Sequence, residues 1–146
     1  MKKIFCLLLL VCFCSYASGI GSIVVVNGDG VRLYYNFNDD ETAVLVAKPK
    51  GRPSGKVVIP ASIEYESVTY PVIGIEDGAF ESCGSLTEVY IPSSVKTIGS
   101  SAFKDCESLS LIQVSDEVTS IGESAFEATA ITSFTIGNKI ATLNSK

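Results

Sequence analysis

Apolar residues recur at one fixed spacing through the second half of the chain. Ile75, Ile98 and Ile121 stand 23 residues apart, and each leads into an Ala-Phe pair: Ala79-Phe80, Ala102-Phe103 and Ala125-Phe126. Further on, Leu86, Val89, Ile91 and Val95 return as Leu109, Ile112, Val114 and Val118. They return again as Ile131, Phe134, Ile136 and Ile140, after a one-residue deletion. A period of this length marks a solenoid, in which each copy makes one coil and buries its apolar face only against its neighbours.

Spacing inside a copy predicts the local structure. Around Val89 and Ile91 the apolar residues alternate with Glu88 and Tyr90, the period of a strand with one buried face. Each coil should therefore supply one short strand, and stacked coils should set these strands side by side in a parallel sheet. Pro92 should end its strand, because it cannot donate to a ladder. The segment GSSAFKDC and its equivalents are too short for a full helix, and predict a helical turn that drives the Phe inward.

Before the repeats the pattern changes. Ile23 to Val26, Val31 to Phe37 and Thr42 to Ala47 read as three strands separated by the turn signals NGDG and NDDE. A solenoid end exposes core, so a three-strand segment here is the natural cap. The next stretch, KPKGRPSGK, reads as an exposed loop.

The run LTEVYIPSSVKTIGSSAFKDCESL, from Leu86 to Leu109, resembles the BspA-like leucine-rich repeat family, and the resemblance extends over residues 55 to 143. GKVVIPASI, from Gly55, supplies a further half coil in which Val57, Ile59, Pro60 and Ile63 match Val89, Ile91, Pro92 and Val95. EYESVTYPVIG resembles the small hairpin that often follows the first such strand. The expected fold is thus mainly β with short helical turns: a leucine-rich repeat solenoid of stacked parallel strands with an N-terminal antiparallel β cap. The expected divisions are a signal peptide over 1–19, the cap over 20–54, and over 55–146 about three full coils with partial ends.

The signal peptide rests on Lys2 and Lys3 before an apolar run from Ile4 to Phe13, with small residues at Ser15, Ala17 and Gly19 in the spacing of a cleavage site. The apolar stretch is too short for a membrane span. Secretion or display at the cell surface follows, with no stable membrane span after cleavage. Cleavage would leave 9 basic and 16 acidic residues, a net charge of −7. That balance disfavours nucleic acid and anionic membranes as partners. Of the five cysteines, only Cys83 and Cys106 would remain, at the same position of adjacent coils. Side chains so placed point in parallel with their Cβ atoms near the strand spacing, too far apart for a relaxed disulfide, and two buried thiols are the expected state.

Catalytic chemistry has little to work with. The chain contains no His and no Cys pair at metal spacing, so a histidine-based triad or a zinc site of the usual composition cannot be assembled. Asp39, Asp40 and Glu41 read as a solvated turn, and the alternation of Asn36, Asn38 and Asp40 lacks the Gly that a calcium loop requires next. No catalytic, cofactor-binding or metal-ligating residue is expected, and no enzyme. Lys48, Lys50, Arg52 and Lys56 concentrate positive charge, with a soluble loop favoured over an anionic-ligand site.

What remains is the outward side of the strand stack. The repeat alignment places Glu88, Leu111 and Ser133 in one row and Tyr90, Gln113 and Thr135 in the next. These six residues are the candidate partner-binding positions. The family resemblance implies adhesion and protein binding, with host or extracellular-matrix proteins among the partners of some members. The alternative is a structural fragment that self-associates through an open C-terminal edge around Phe134 and Ile136.

Overall fold

The computed structural model describes residues 22–26, 30–38, 43–48, 50–132 and 142–143. The signal-peptide reading of residues 1–19, the acidic turn of residues 39–41 and the C-terminal edge at residues 134 and 136 fall outside them.

The alternating apolar pattern of the first segment gives β1 (Ile23–Val26), β2 (Arg32–Phe37) and β3 (Val44–Ala47), paired antiparallel in chain order. Ile23, Val25, Leu33, Tyr35 and Val46 point inward and are buried. The chain then runs through an exposed loop into β4 (Gly55–Val58), crosses to β5 (Ser62–Tyr65) and folds back as β6 (Val68–Ile75). β5 and β6 form the expected hairpin. Glu66 and Ser67 sit at its tip with φ of 49° and 64°, the mirror-image turn that matches the twist of the flanking strands.

Repeating coils follow. β7 (Leu86–Tyr90) and β9 (Leu111–Gln113) continue β4 in a parallel three-stranded sheet. Each coil also contributes a second, two-residue strand that the alternation did not announce: β8 (Thr97–Ile98), then β10 (Ser120–Ile121), then β11 (Thr142–Leu143). These extend the first sheet in the order β1-β2-β3-β6-β8-β10-β11, with β3 and β6 parallel. The N-terminal strands are therefore continuous with the solenoid through backbone hydrogen bonds. Asn36 also reaches the first coil with its side chain, donating to the Glu76 carboxylate at 2.9 and 3.1 Å.

The third side of each coil is built from turns. The expected helical turn takes the form of consecutive turns closed by i+3 to i bonds such as Glu81 N to Gly78 O and Lys104 N to Ser101 O, both 3.1 Å. Alternate amides point along the stack instead. Gly78, Phe80 and Ser82 donate to the carbonyls of Ser100, Ala102 and Lys104, and Ser101, Phe103 and Asp105 donate to those of Glu123, Ala125 and Glu127. Left-handed backbone at two places per coil makes this alternation feasible: Gly78, Ser101 and Ser124 in one row, Ser82, Asp105 and Ala128 in the other.

The core is a set of residue columns. Val57, Val89 and Ile112 make one, Ile75, Ile98 and Ile121 a second, Ala79, Ala102 and Ala125 a third, all buried. Phe80 and Phe103 are fully buried and stack face to face, with Phe126 stacked on Phe103 at 5.6 Å and packed against the core's end. Coils approach closely where side chains are absent. A Cβ on Gly99 would lie 2.5 Å from Asp77 N and 2.6 Å from Glu76 C, so the spacing between coils depends on glycine there.

Cys83 and Cys106 stack as free, buried thiols. Cys106 donates its S–H to the carbonyl of Phe80 at 3.0 Å. Burial pushes the Cys106 thiol up to about 12 and raises that of Cys83 as well. On the surface of the turns, ion pairs run along the stack: Lys48, just after β3, to Glu81 at 2.9 Å, and Lys104 to Glu127 of the next coil at 3.0 Å. With Glu81 and Lys104 themselves one coil apart, the four make a row of alternating charge.

Candidate functional site

The three-stranded sheet fixes the geometry of the candidate face. Cross-strand register sets Lys56 beside Glu88 and Glu88 beside Leu111, with Val58 beside Tyr90 and Tyr90 beside Gln113. The intervening residues Val57, Val89 and Ile112 are buried, so the pleat directs the two rows outward. The structure thus brings together Glu88, Tyr90, Leu111 and Gln113. Ser133 and Thr135, which complete the rows in the alignment, lie outside the described residues.

Two members of this face were missed as candidates. Lys56 and Val58 head the rows on β4, and the match of Val57 to Val89 in the sequence already implied their places. The interval there is 32 residues, because the β5–β6 hairpin lengthens that coil, and a search at the 23-residue period passes over it.

Interactions across the face are specific. Lys56 stands opposite Glu88 but lays its ammonium over the ring of Tyr90, 4.6 Å from the centroid, a diagonal reach open to a long side chain. The Tyr90 hydroxyl leans back to donate to Glu88 Oε2 at 3.4 Å. Tyr90 is therefore held from both sides and presents a half-buried aromatic edge. Leu111 projects beside Glu88, diagonally across from Tyr90, and is 46 % exposed, one of two large apolar residues so exposed among those described. Gln113, also exposed, adds an amide that donates and accepts. The arrangement is a rigid, slightly apolar patch with a polar margin.

Elsewhere, Lys48 is engaged by Glu81, and Lys50 and Arg52 remain exposed in the loop before β4. No group of three metal-ligating side chains is assembled among the described residues, and no helix among them is long and apolar enough to cross a membrane.

Comparison with known proteins places this geometry. The family model described as BspA type leucine rich repeat region (6 copies) matches residues 61–146. Among solved structures, a T. pallidum leucine rich repeat protein superposes with a TM-score of 0.65 at 23 % identity, over 77 % of this chain and 62 % of that one. A leucine-rich repeat protein from Bacteroides ovatus gives 0.61 at 28 % identity, over 77 % and 36 %. One from Bacteroides capillosus gives 0.56 at 25 % identity, over 78 % and 94 %. The chain thus spans less than two thirds of the first two proteins. The search of curated proteins finds no match.

Proposed function

The chain belongs to the BspA type leucine-rich repeat family, and on that footing we propose that it is a non-enzymatic protein-binding module, exported to the cell surface or the medium, that engages its partner through the outward face of β4, β7 and β9. The observation that carries the reading is that one sheet sets Leu111 beside Glu88 and Gln113 beside Tyr90 on the same outward face, with Lys56 and Glu88 holding Tyr90 in place. Rigid aromatic side chains bordered by polar groups lose little entropy on contact and are favoured anchors in protein interfaces. An exposed Leu alone would need no explanation. Its place on the adjacent strand, diagonally across from a clamped Tyr, is what distinguishes this one.

The partner classes that fit are host surface or extracellular-matrix proteins. A net negative chain whose strand face sets one cation and one carboxylate around an aromatic ring suits a folded protein surface better than nucleic acid or an anionic bilayer. Residues 1–19 supply the export signal in this reading, and the mature module begins near residue 20.

Photo-crosslinking tests the face. A crosslinking side chain placed at Gln113 should trap a partner, whereas one at the exposed Glu107, on the turn side of the coil, should not; equal trapping at both would refute the assignment. Mass spectrometry of the exported protein should find a start near residue 20, and an intact Met1 would refute cleavage.

A further inference from the structure

Of the four cations that the sequence groups together, Lys48, Lys50 and Arg52 border one concavity that also holds Glu81, and Lys56 stands apart. Lys48 is bound to Glu81, and Lys56 lies on the strand face over Tyr90. On their other side Lys50 and Arg52 meet Arg32, from the first position of β2, around a larger open concavity of about 450 Å³ whose walls include Tyr34, Gly51 and Ser54. Arg32, Lys50 and Arg52 are all exposed, and no carboxylate lies in the described lining. Three cations converging from two segments of an acidic chain, with net charge −5, concentrate a local potential against the overall sign.

We propose that this concavity is a second binding site, distinct from the strand face, for an acidic saccharide bearing sulfate or carboxylate groups. Its volume falls within the roughly 300–1,000 Å³ of small-ligand sites. Two guanidinium groups offer paired donors that match the geometry of sulfate and carboxylate oxygens, and the ammonium of Lys50 adds a mobile third charge. Tyr34, half-buried, supplies a flat amphipathic wall on which a sugar ring packs, and Ser54 a hydroxyl for its polar edge. A lipid surface fits less well, because the exposed large apolar residues, Val68 and Leu111, lie outside the lining. Nucleic acid fits less well too, since three cations around a pocket do not form a track along a phosphate backbone and the rest of the chain repels one.

Calorimetric titration of the chain lacking residues 1–19 with a fully sulfated heparin tetrasaccharide provides the test. Binding is expected, weakening steeply as salt rises from about 0.05 to 0.5 M. The Arg32→Ala, Arg52→Ala double variant should bind at least about tenfold more weakly, with its thermal unfolding unchanged. The Arg32→Lys, Arg52→Lys variant, which keeps the charge, should fall between the two. Lys48→Ala and Lys56→Ala should bind like the parent, and the unsulfated tetrasaccharide, which keeps only its uronate carboxylates, should bind more weakly than the sulfated one. Failure of the parent to bind, an unaffected double alanine variant, an equal loss at Lys48 or Lys56, or indifference to salt would each overturn the site. Tighter binding of single-stranded DNA or of phosphatidylserine vesicles would overturn the saccharide assignment. Because none of these residues except the control Lys56 lies on the strand face, failure here leaves the protein-binding reading untouched.

Discussion

The rings of Phe80 and Phe103 stack with centroids 5.1 Å apart and planes 3° from parallel, one 23-residue repeat apart in the chain. This contact expresses the whole architecture. Identical side chains at identical positions of successive coils meet face to face, so the core is a stack of columns rather than an interleaved set of different residues. Phe103 sits inside its column, with Phe80 on one side and Phe126 on the other.

That position sets the first expectation. Phe103→Ala should destabilise the fold by about 3 to 5 kcal/mol, because the cavity is walled by neighbours that are themselves held by the stack. Phe126→Ala, on the half-buried ring, should cost less. Urea unfolding measures both, and a Phe103→Ala shift below about 1 kcal/mol would contradict the column.

Glycine spacing between coils gives a sharper contrast. Gly99→Ala forces a methyl into the backbone of Glu76 and Asp77, which cannot yield without separating the coils. A loss of about 1 to 3 kcal/mol is expected, in the range for overpacking. Gly84→Ala meets nothing within 4 Å and should be close to neutral. Similar melting temperatures for the two variants would refute close approach at Gly99.

The thiol column predicts both reactivity and pH dependence. In the chain lacking residues 1–19, Cys83 and Cys106 should resist a thiol reagent while folded and yield two thiols once unfolded. Burial raises the folded value of Cys106 to about 12 from an ordinary 9.0, and Cys83 shifts the same way. Between these limits the unfolded chain releases protons that the folded one keeps, so stability should be full below pH 9.0 and fall as pH climbs toward about 12. Finding no thiol after unfolding without reductant would mean a disulfide.

The alternating row Lys48, Glu81, Lys104 and Glu127 should respond to charge reversal. Glu81→Lys would set three ammonium groups in succession, lowering the melting temperature, and added salt should narrow the difference by screening it. The hydrogen bond from Lys48 holds the Glu81 carboxyl below its ordinary 4.5. Its contribution is therefore present above that value and lost as pH falls through the lower, folded one. A salt-independent difference would point to lost packing instead.

The columns were legible in the sequence because their members from Ile75 onward recur with period 23, and burial follows from the repetition alone. Val89 and Ile112 could be assigned inward, and Tyr90 and Gln113 outward, before any coordinates. The second strand of each coil was not, since two residues such as Thr97 and Ile98 are too few to express a period. Nor was the left-handed backbone at Ser82, Asp105 and Ala128, whose dissimilar side chains share a conformation imposed by the bonds between coils. The basic pocket escaped for a different reason. Arg32 and Arg52 stand on separate segments, and only the path of β2 past the loop brings them to one concavity.

Solid-phase binding of the chain lacking residues 1–19, carrying Arg32→Ala and Arg52→Ala in parent and variant alike, to an immobilised basement-membrane extract freed of heparan sulfate bears most directly on the strand face. The parent should be retained, while Tyr90→Ala, Leu111→Ala, Gln113→Ala combined in one variant should lose at least about tenfold in affinity with its unfolding midpoint preserved. Equal retention of the parent and the triple variant, or no retention of the parent at all, would contradict the account.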